Sequence, residues 1–328
     1  MRSETHLKSI VVCAAVVLLF SGYALATNYK AIDLTPSGFN YSYGSGAGGG
    51  QQVGEYGYNH AALWNGSAAS YVDLHPSGFS TSSAYGTNGT QQVGSGLGWT
   101  TGYANHALLW NGNAASCVDL HPGQFYASVA YATNGTQQVG GGSGPAPGYI
   151  SHALLWNGSA ASCVDLNPAG FEASLALGMS GTQQVGKGKG SATGNAEHAL
   201  LWSGSAASYV DLNPAGYNNS FGYGTNGTQQ VGNALGLATG YIGHAFLWNG
   251  SAQSYIDLHQ FLPAGFTYSC AAGIDGYGNV IGYATDGSGA CHAVLWEVPE
   301  PCTLMLLGLG AAIARLGESK ARRVRKRR

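Results

Sequence analysis

Histidine, aspartate and serine recur together along this 328-residue chain, and they are the side chains of nucleophilic hydrolysis. The histidines stand at 60, 106, 152, 198, 244 and 292, each with a tryptophan four residues later. The aspartates are Asp33, Asp73, Asp119, Asp165, Asp211 and Asp257, and the serines are Ser42, Ser82, Ser128, Ser174, Ser220 and Ser269. A hydrolytic triad needs one serine activated by one imidazole, which a carboxylate orients. The spacing argues against that chemistry. His60, His106, His152, His198 and His244 are each 46 residues apart, and His292 follows after 48. A catalytic centre is singular, whereas these groups come once per repeat. The favoured reading is a structural Ser–His–Asp network beside a tryptophan, because buried polar groups must find partners. No residue is assigned a catalytic or cofactor-binding role.

Metal binding fares no better. The six histidines open the same strand of successive repeats, so they do not converge on one point. His75, His121 and His259 follow the "DL" segment in three copies, where others carry Asn or Thr, and read as turn residues. Asp275-Gly276-Tyr277-Gly278-Asn279 has the look of a calcium loop, but it sits where other copies place an Asn-Gly hairpin, so a turn is expected. Cys117 and Cys163 fall at equivalent positions of adjacent repeats, too far apart to bridge, and read as apolar fillers. Cys270 and Cys291 share the last repeat, and a disulfide between them stays open.

The elements that carry these residues follow from the period. A repeat in the forties marks an array of similar supersecondary units. Six units run between residues 29 and 296, the first shortened by six residues ahead of His60. Each divides into four short strand candidates, in the second unit 80–87, 90–94 and 106–110, with 70–74 preceding. Asn-Gly, a strong short hairpin signal, occurs twice per period, as Asn88-Gly89 and Asn111-Gly112. The runs do not alternate cleanly, as expected of strands covered on both faces. Four strands per 46 residues is the spacing of a β-propeller blade. The expectation is an all-β, six-bladed β-propeller of four-stranded repeats, with a β-solenoid as the alternative. The segment Ala31-Ile32-Asp33-Leu34 is expected to complete the last blade beside His292–Trp296, protecting the sheet edges.

Composition bounds the partners. Fifty-three glycines and 9% charged residues would suggest low complexity, but 45% hydrophobic residues and a tryptophan per repeat supply a core. The formal charge of −2 conceals an acidic body, with thirteen carboxylates against Lys30, Lys187 and Lys189 between Thr27 and Pro301. Nucleic acid and anionic membrane surfaces are therefore excluded as partners of the body.

The two ends read as sorting signals. Residues 1–26 combine Arg2 and Lys8, an apolar run from Ile10 to Phe20, and Ala24-Leu25-Ala26, the pattern of a signal peptide cut by signal peptidase after Ala26. Residues 298–328 carry Pro299-Glu300-Pro301, an apolar segment from Cys302 to Ala314, and a basic end at Arg322–Arg328. This end resembles the PEP-CTERM sorting signal of Gram-negative bacteria, with Cys302 where a small hydroxyl residue usually follows the triplet. The resemblance implies export, a transient transmembrane anchor in the inner membrane with arginines on the cytoplasmic side, and cleavage by an exosortase. The body, 27–297, with "HAFLW" at His244–Trp248, the "DL" segments and "QQVG" between them, resembles the HAF-type extracellular repeat family. That resemblance implies an exported repeat protein and names no activity.

The copies differ in the loop between "QQVG" and "HALLW". It holds Tyr56, Tyr58, Trp99, Tyr103, Tyr149 and Tyr241, aromatics expected on one rim of the propeller. Aromatic rings on loops of a rigid scaffold suit sugar stacking. The expected function is a non-enzymatic surface or extracellular-matrix protein of the exopolysaccharide layer. A lectin-like propeller and a propeller-type polysaccharide hydrolase or lyase are the alternatives.

Overall fold

The computed structural model describes residues 32–57, 59–144 and 151–298. The signal peptide, the Pro299-Glu300-Pro301 triplet, the anchor, Tyr58 and Tyr149 lie outside them. Among the described residues no helix is long and apolar enough to cross a membrane.

From Leu34 the chain builds six antiparallel sheets in chain order, the blades of a six-bladed β-propeller. In blade two the strands are Thr81–Thr87, Gln92–Leu97, His106–Trp110 and Val118–Asp119. Every pairing is antiparallel between sequence neighbours, which rules out the parallel coils of a solenoid. The Asn-Gly turn forms because Asn88 Oδ1 accepts the N–H groups of Thr90 and Gln91, while Gly89 takes φ 97°. The fourth strand is only two residues long, cut short by an Asx turn in which Asp119 Oδ1 accepts the His121 N–H.

The tryptophan is the key of each interface. Alternation along "HALLW" sends Leu109 towards the following blade and Trp110 towards the preceding one. Trp110 thus packs against Leu63 and Leu74 of blade one, and Trp156 against Leu109 and Leu120 of blade two. Trp202, Trp248 and Trp296 repeat the arrangement. Consecutive blades also touch through their first strands. Each of these strands carries a bulge three residues after its serine, leaving Ser45, Tyr85, Tyr131, Leu177, Tyr223 and Ala272 unpaired. A bulge bends and twists the strand and re-aims its side chain. A glycine follows at Gly86 and Gly178, where a Cβ would press on the backbone carbonyl of Tyr131 or Tyr223 in the next blade.

One expectation needs correction, and one open question is answered. The last sheet has three strands among the described residues, Phe266–Ile274, Val280–Asp286 and Cys291–Trp296. Residues 32–34 form no strand. Leu34 packs against Trp64 of blade one, in the seat that Leu74 takes against Trp110, so it keeps that apolar contact without the strand pairing. Cys270 and Cys291 are free thiols, Cys270 buried opposite Tyr283 and Cys291 exposed opposite Thr285. Burial pushes Cys270 up to about 11.

Candidate functional site

The recurrent polar residues form a circuit that joins consecutive blades. His106 Nδ1 lies 2.7 Å from Asp119 Oδ2, and the other carboxylate oxygen closes the Asx turn with His121. His121 Nδ1 lies 2.8 Å from Ser128 Oγ, which also accepts the Ala107 N–H of the preceding blade at 2.9 Å. His106 and His121 stack at 3.9 Å between ring centroids. The serine's partner is therefore the residue two after the aspartate, not the repeat histidine. His75, His121 and His259, read from the sequence as turn residues, belong to the circuit. At Asn167 the bonding is the same: Ser174 donates to Asn167 Oδ1, and Asn167 Nδ2 donates to the Phe171 carbonyl, whereas Asn213 keeps only the second bond, Nδ2 to the Tyr217 carbonyl. His75 matches Asn167 atom for atom, with Nδ1 on Ser82 and Nε2 on the Phe79 carbonyl. That carbonyl keeps a proton on Nε2, while burial and the stacked histidine disfavour a second one on Nδ1. Burial first, then the stacked repeat histidine, holds His75, His121 and His259 below the usual 6.5.

The pattern has variants at the ends of the array. His152, His198 and His244 pair with Asp165, Asp211 and Asp257 at 2.7 to 2.9 Å, while His60 stands 3.5 Å from Asp73. His292 turns instead to Asp286, Nε2 to Oδ2 at 3.0 Å. Ser42 meets Thr35 Oγ1 at 2.9 Å. The serines of blades two to six are buried. In each, Oγ takes the backbone N–H of the preceding blade, so these five hydroxyls are neither exposed nor free.

The sequence reading missed a second staple. The latter Gln of "QQVG" is buried in blades two to five, and Gln138 accepts the Gly158 N–H while donating to Gln91 Oε1 of the preceding blade at 3.1 Å. Gln92 and Gln230 reach back to Gln51 and Gln183 in the same way.

The variable loops carry the accessible chemistry. In blades two, four and five they share one conformation: a short 3-10 turn at Trp99–Thr101, Ser191–Thr193 or Leu237–Thr239. The threonine hydroxyl accepts the N–H of the glycine before the turn, and two left-handed residues follow. The second of these is Tyr103, Asn195 or Tyr241, with φ 62°, 65° and 62°. Aligned, "GWTTGY", "GSATGN" and "GLATGY" display this pattern, which could have been read from the sequence. Trp99 is 71% exposed and Tyr103 66%, and Leu237 and Tyr241 are also exposed. Tyr56 is not a rim aromatic: at 4% exposure it lies in the blade-one core against Phe39, Tyr71 and His60. The shortened first loop brings it into the strand Gln51–Tyr56. The Asp275 carboxylate is engaged by the N–H groups of Tyr277 and Asn279 and by the Asn279 amide, the bonding of a turn. Among the described residues no group of three metal-ligating side chains occurs.

No family model and no curated protein matches the chain. Among solved structures it is similar to TolB from Acinetobacter baumannii, at 11% identity and TM-score 0.43 over 62% of this chain and 50% of that one. A puromycin hydrolase mutant matches at 11% identity and TM-score 0.49, over 80% of this chain and 46% of that one. The β-propeller domain of the Trilobed protease from Pyrococcus furiosus matches at 8% identity and TM-score 0.47, over 79% and 96%. The chain spans about half the length of the first two.

Proposed function

We propose that this chain is a non-enzymatic, exported propeller that binds polysaccharide in the surface layer of a Gram-negative bacterium, after release from its anchor by an exosortase. The observation that carries the binding role is the rim: aromatic side chains held outward on loops locked by a threonine and two left-handed residues. Holding a tyrosine at positive φ costs roughly 1–3 kcal/mol, a strain that tends to gather at ligand sites. The polar circuit supports a non-enzymatic role, since its hydroxyls and carboxylates are spent on backbone N–H groups. Processing rests on the Pro299-Glu300-Pro301 triplet and the basic end.

The test is retention of the full chain, in mild detergent, on the exopolysaccharide of an exosortase-bearing host, with and without chelator. Retention that survives chelator and is lost in the Trp99→Ala, Tyr241→Ala double variant is expected. Retention unchanged in that variant would overturn the rim reading. For processing, Glu300→Ala should leave the chain in the membrane fraction; release at the normal rate would sink the exosortase assignment.

A further inference from the structure

One cleft distinguishes blade three from its copies. At the position of the second strand that faces the next blade, the repeats carry Glu55, Ser95, Gly141, Lys187, Asn233 and Tyr283. Only blade three has no side chain there. Its first- and second-strand residues Val129 and Gly141 pair, and Leu175 of blade four leans into the space, where a Cβ on Gly141 would collide with Leu175 Cδ1. Above this floor lies a cleft of about 340 Å³ between the loop of blade two and the body of blade three. Small-molecule sites span roughly 300–1,000 Å³, so it is sized for a small ligand.

Its walls have a definite chemistry. Tyr103 and Tyr126 offer exposed rings, and the bulge residue Tyr131 lines the interior. Asn105, Ser143 and Ser151 add uncharged donors and acceptors, and none of the lining residues among those described is charged. Burial, followed by Tyr85, raises the Tyr131 phenol, so it remains a donor. Rings for stacking with neutral hydrogen-bonding groups suit a polyhydroxylated, uncharged ligand. The acidic body disfavours an acidic one. Tyr103 stands in the wall because the left-handed backbone directs it there, at the place that Asn195 takes in blade four.

We infer that the cleft formed by Tyr103, Asn105, Tyr126, Tyr131 and Gly141 is a subsite for a neutral sugar ring of a polysaccharide. This deepens the polysaccharide-binding reading and rests on it. The site is specific to blade three, whereas the rim aromatics are spread over several blades.

The experiment is calorimetric titration of the full chain with cellohexaose, laminarihexaose, mannohexaose and, as the charged counterpart, hexagalacturonate. At least one neutral hexasaccharide should bind. Gly141→Asn places in blade three the side chain that blade five tolerates, and should weaken binding at least tenfold. Tyr103→Asn copies Asn195, guards against misfolding of the first variant, and should do the same. Binding by the Tyr277→Ala variant, which removes an exposed ring of blade six outside both the rim loops and the cleft, should change less than threefold. Wild-type affinity in both Gly141→Asn and Tyr103→Asn would overturn the cleft; if the Trp99→Ala, Tyr241→Ala variant then fails, the rim reading stands without it. Equal or tighter binding of hexagalacturonate would overturn the neutral-ligand assignment. No binding of any hexasaccharide would overturn the cleft, while retention on whole exopolysaccharide would still decide the rim reading.

Discussion

At the scale of single residues, the circuit makes stability depend on pH in a definite direction. His75, His121 and His259 are each neutral in the fold, with Nε2 protonated where it faces a backbone carbonyl and Nδ1 accepting from serine. Their values lie below the ordinary 6.5, through burial and through His60, His106 and His244 stacked on them, against the partial relief of Asp73, Asp119 and Asp257. As pH falls through about 6.5 the unfolded chain takes up these protons before the folded one does, so stability is lost on acidification. The loss continues until the folded values are passed. The triple variant His75→Asn, His121→Asn, His259→Asn keeps the bonding seen at Asn167 and removes the titration. Its thermal midpoint should fall less than the wild type's between about pH 7.5 and pH 5.5; parallel curves would refute the assignment. The sequence displayed every member of this circuit, but its wiring was not legible. The serine lies in the blade after the one whose polar residues it joins, and only the packing of blades decides which imidazole it meets.

At the scale of elements, turn chemistry was legible and strand distortion was not. Asn-Gly announces its hairpin by composition. The bulge at Tyr85 or Tyr131 follows from how a first strand must twist to meet its neighbour, and no residue type marks it. Tyr56 was misplaced for a related reason: deleting loop residues drew it into the sheet. The rim loops make a prediction of their own. Tyr103 pays for its left-handed backbone, so Tyr103→Gly should hold or raise stability by up to about 1 kcal/mol, the gain being limited by glycine's freedom in the unfolded chain. A lower denaturation midpoint would show that the ring stabilises the loop. The opposite sign is expected at the inter-blade amide. Gln138→Met keeps the volume but leaves the part-buried Gly158 N–H without its acceptor and removes one of the two donors to Gln91 Oε1, Thr133 Oγ1 being the other. About 1–3 kcal/mol should be lost in urea unfolding, and a loss below about 0.5 kcal/mol would demote the staple to decoration.

For the molecule as a whole, the repeat period made six blades legible, yet a period says nothing about how the array ends. In five blades a Val–Leu pair on the forward face is buried by the next blade, as Val185 and Leu201 are by Trp248. Blade six carries the matching pair, Ile281 opposite Leu295, and leaves them 59% and 53% exposed. Its third strand has no fourth strand beside it among the described residues. The same sequence pattern thus has two energetic values depending on its place in the array, because burial is conferred by the neighbour. Leu201→Ala, at 5% exposure, should cost about 2–5 kcal/mol through lost burial and the cavity left against Trp248. Leu295→Ala, on the open face, should stay within about 0.5 kcal/mol of wild type. Both are read from urea unfolding of the full chain. An equal loss at both positions would mean that blade six is covered in solution, and the source can then be separated. Cover supplied by the same molecule gives a midpoint independent of protein concentration, whereas cover from a second copy makes it rise with concentration.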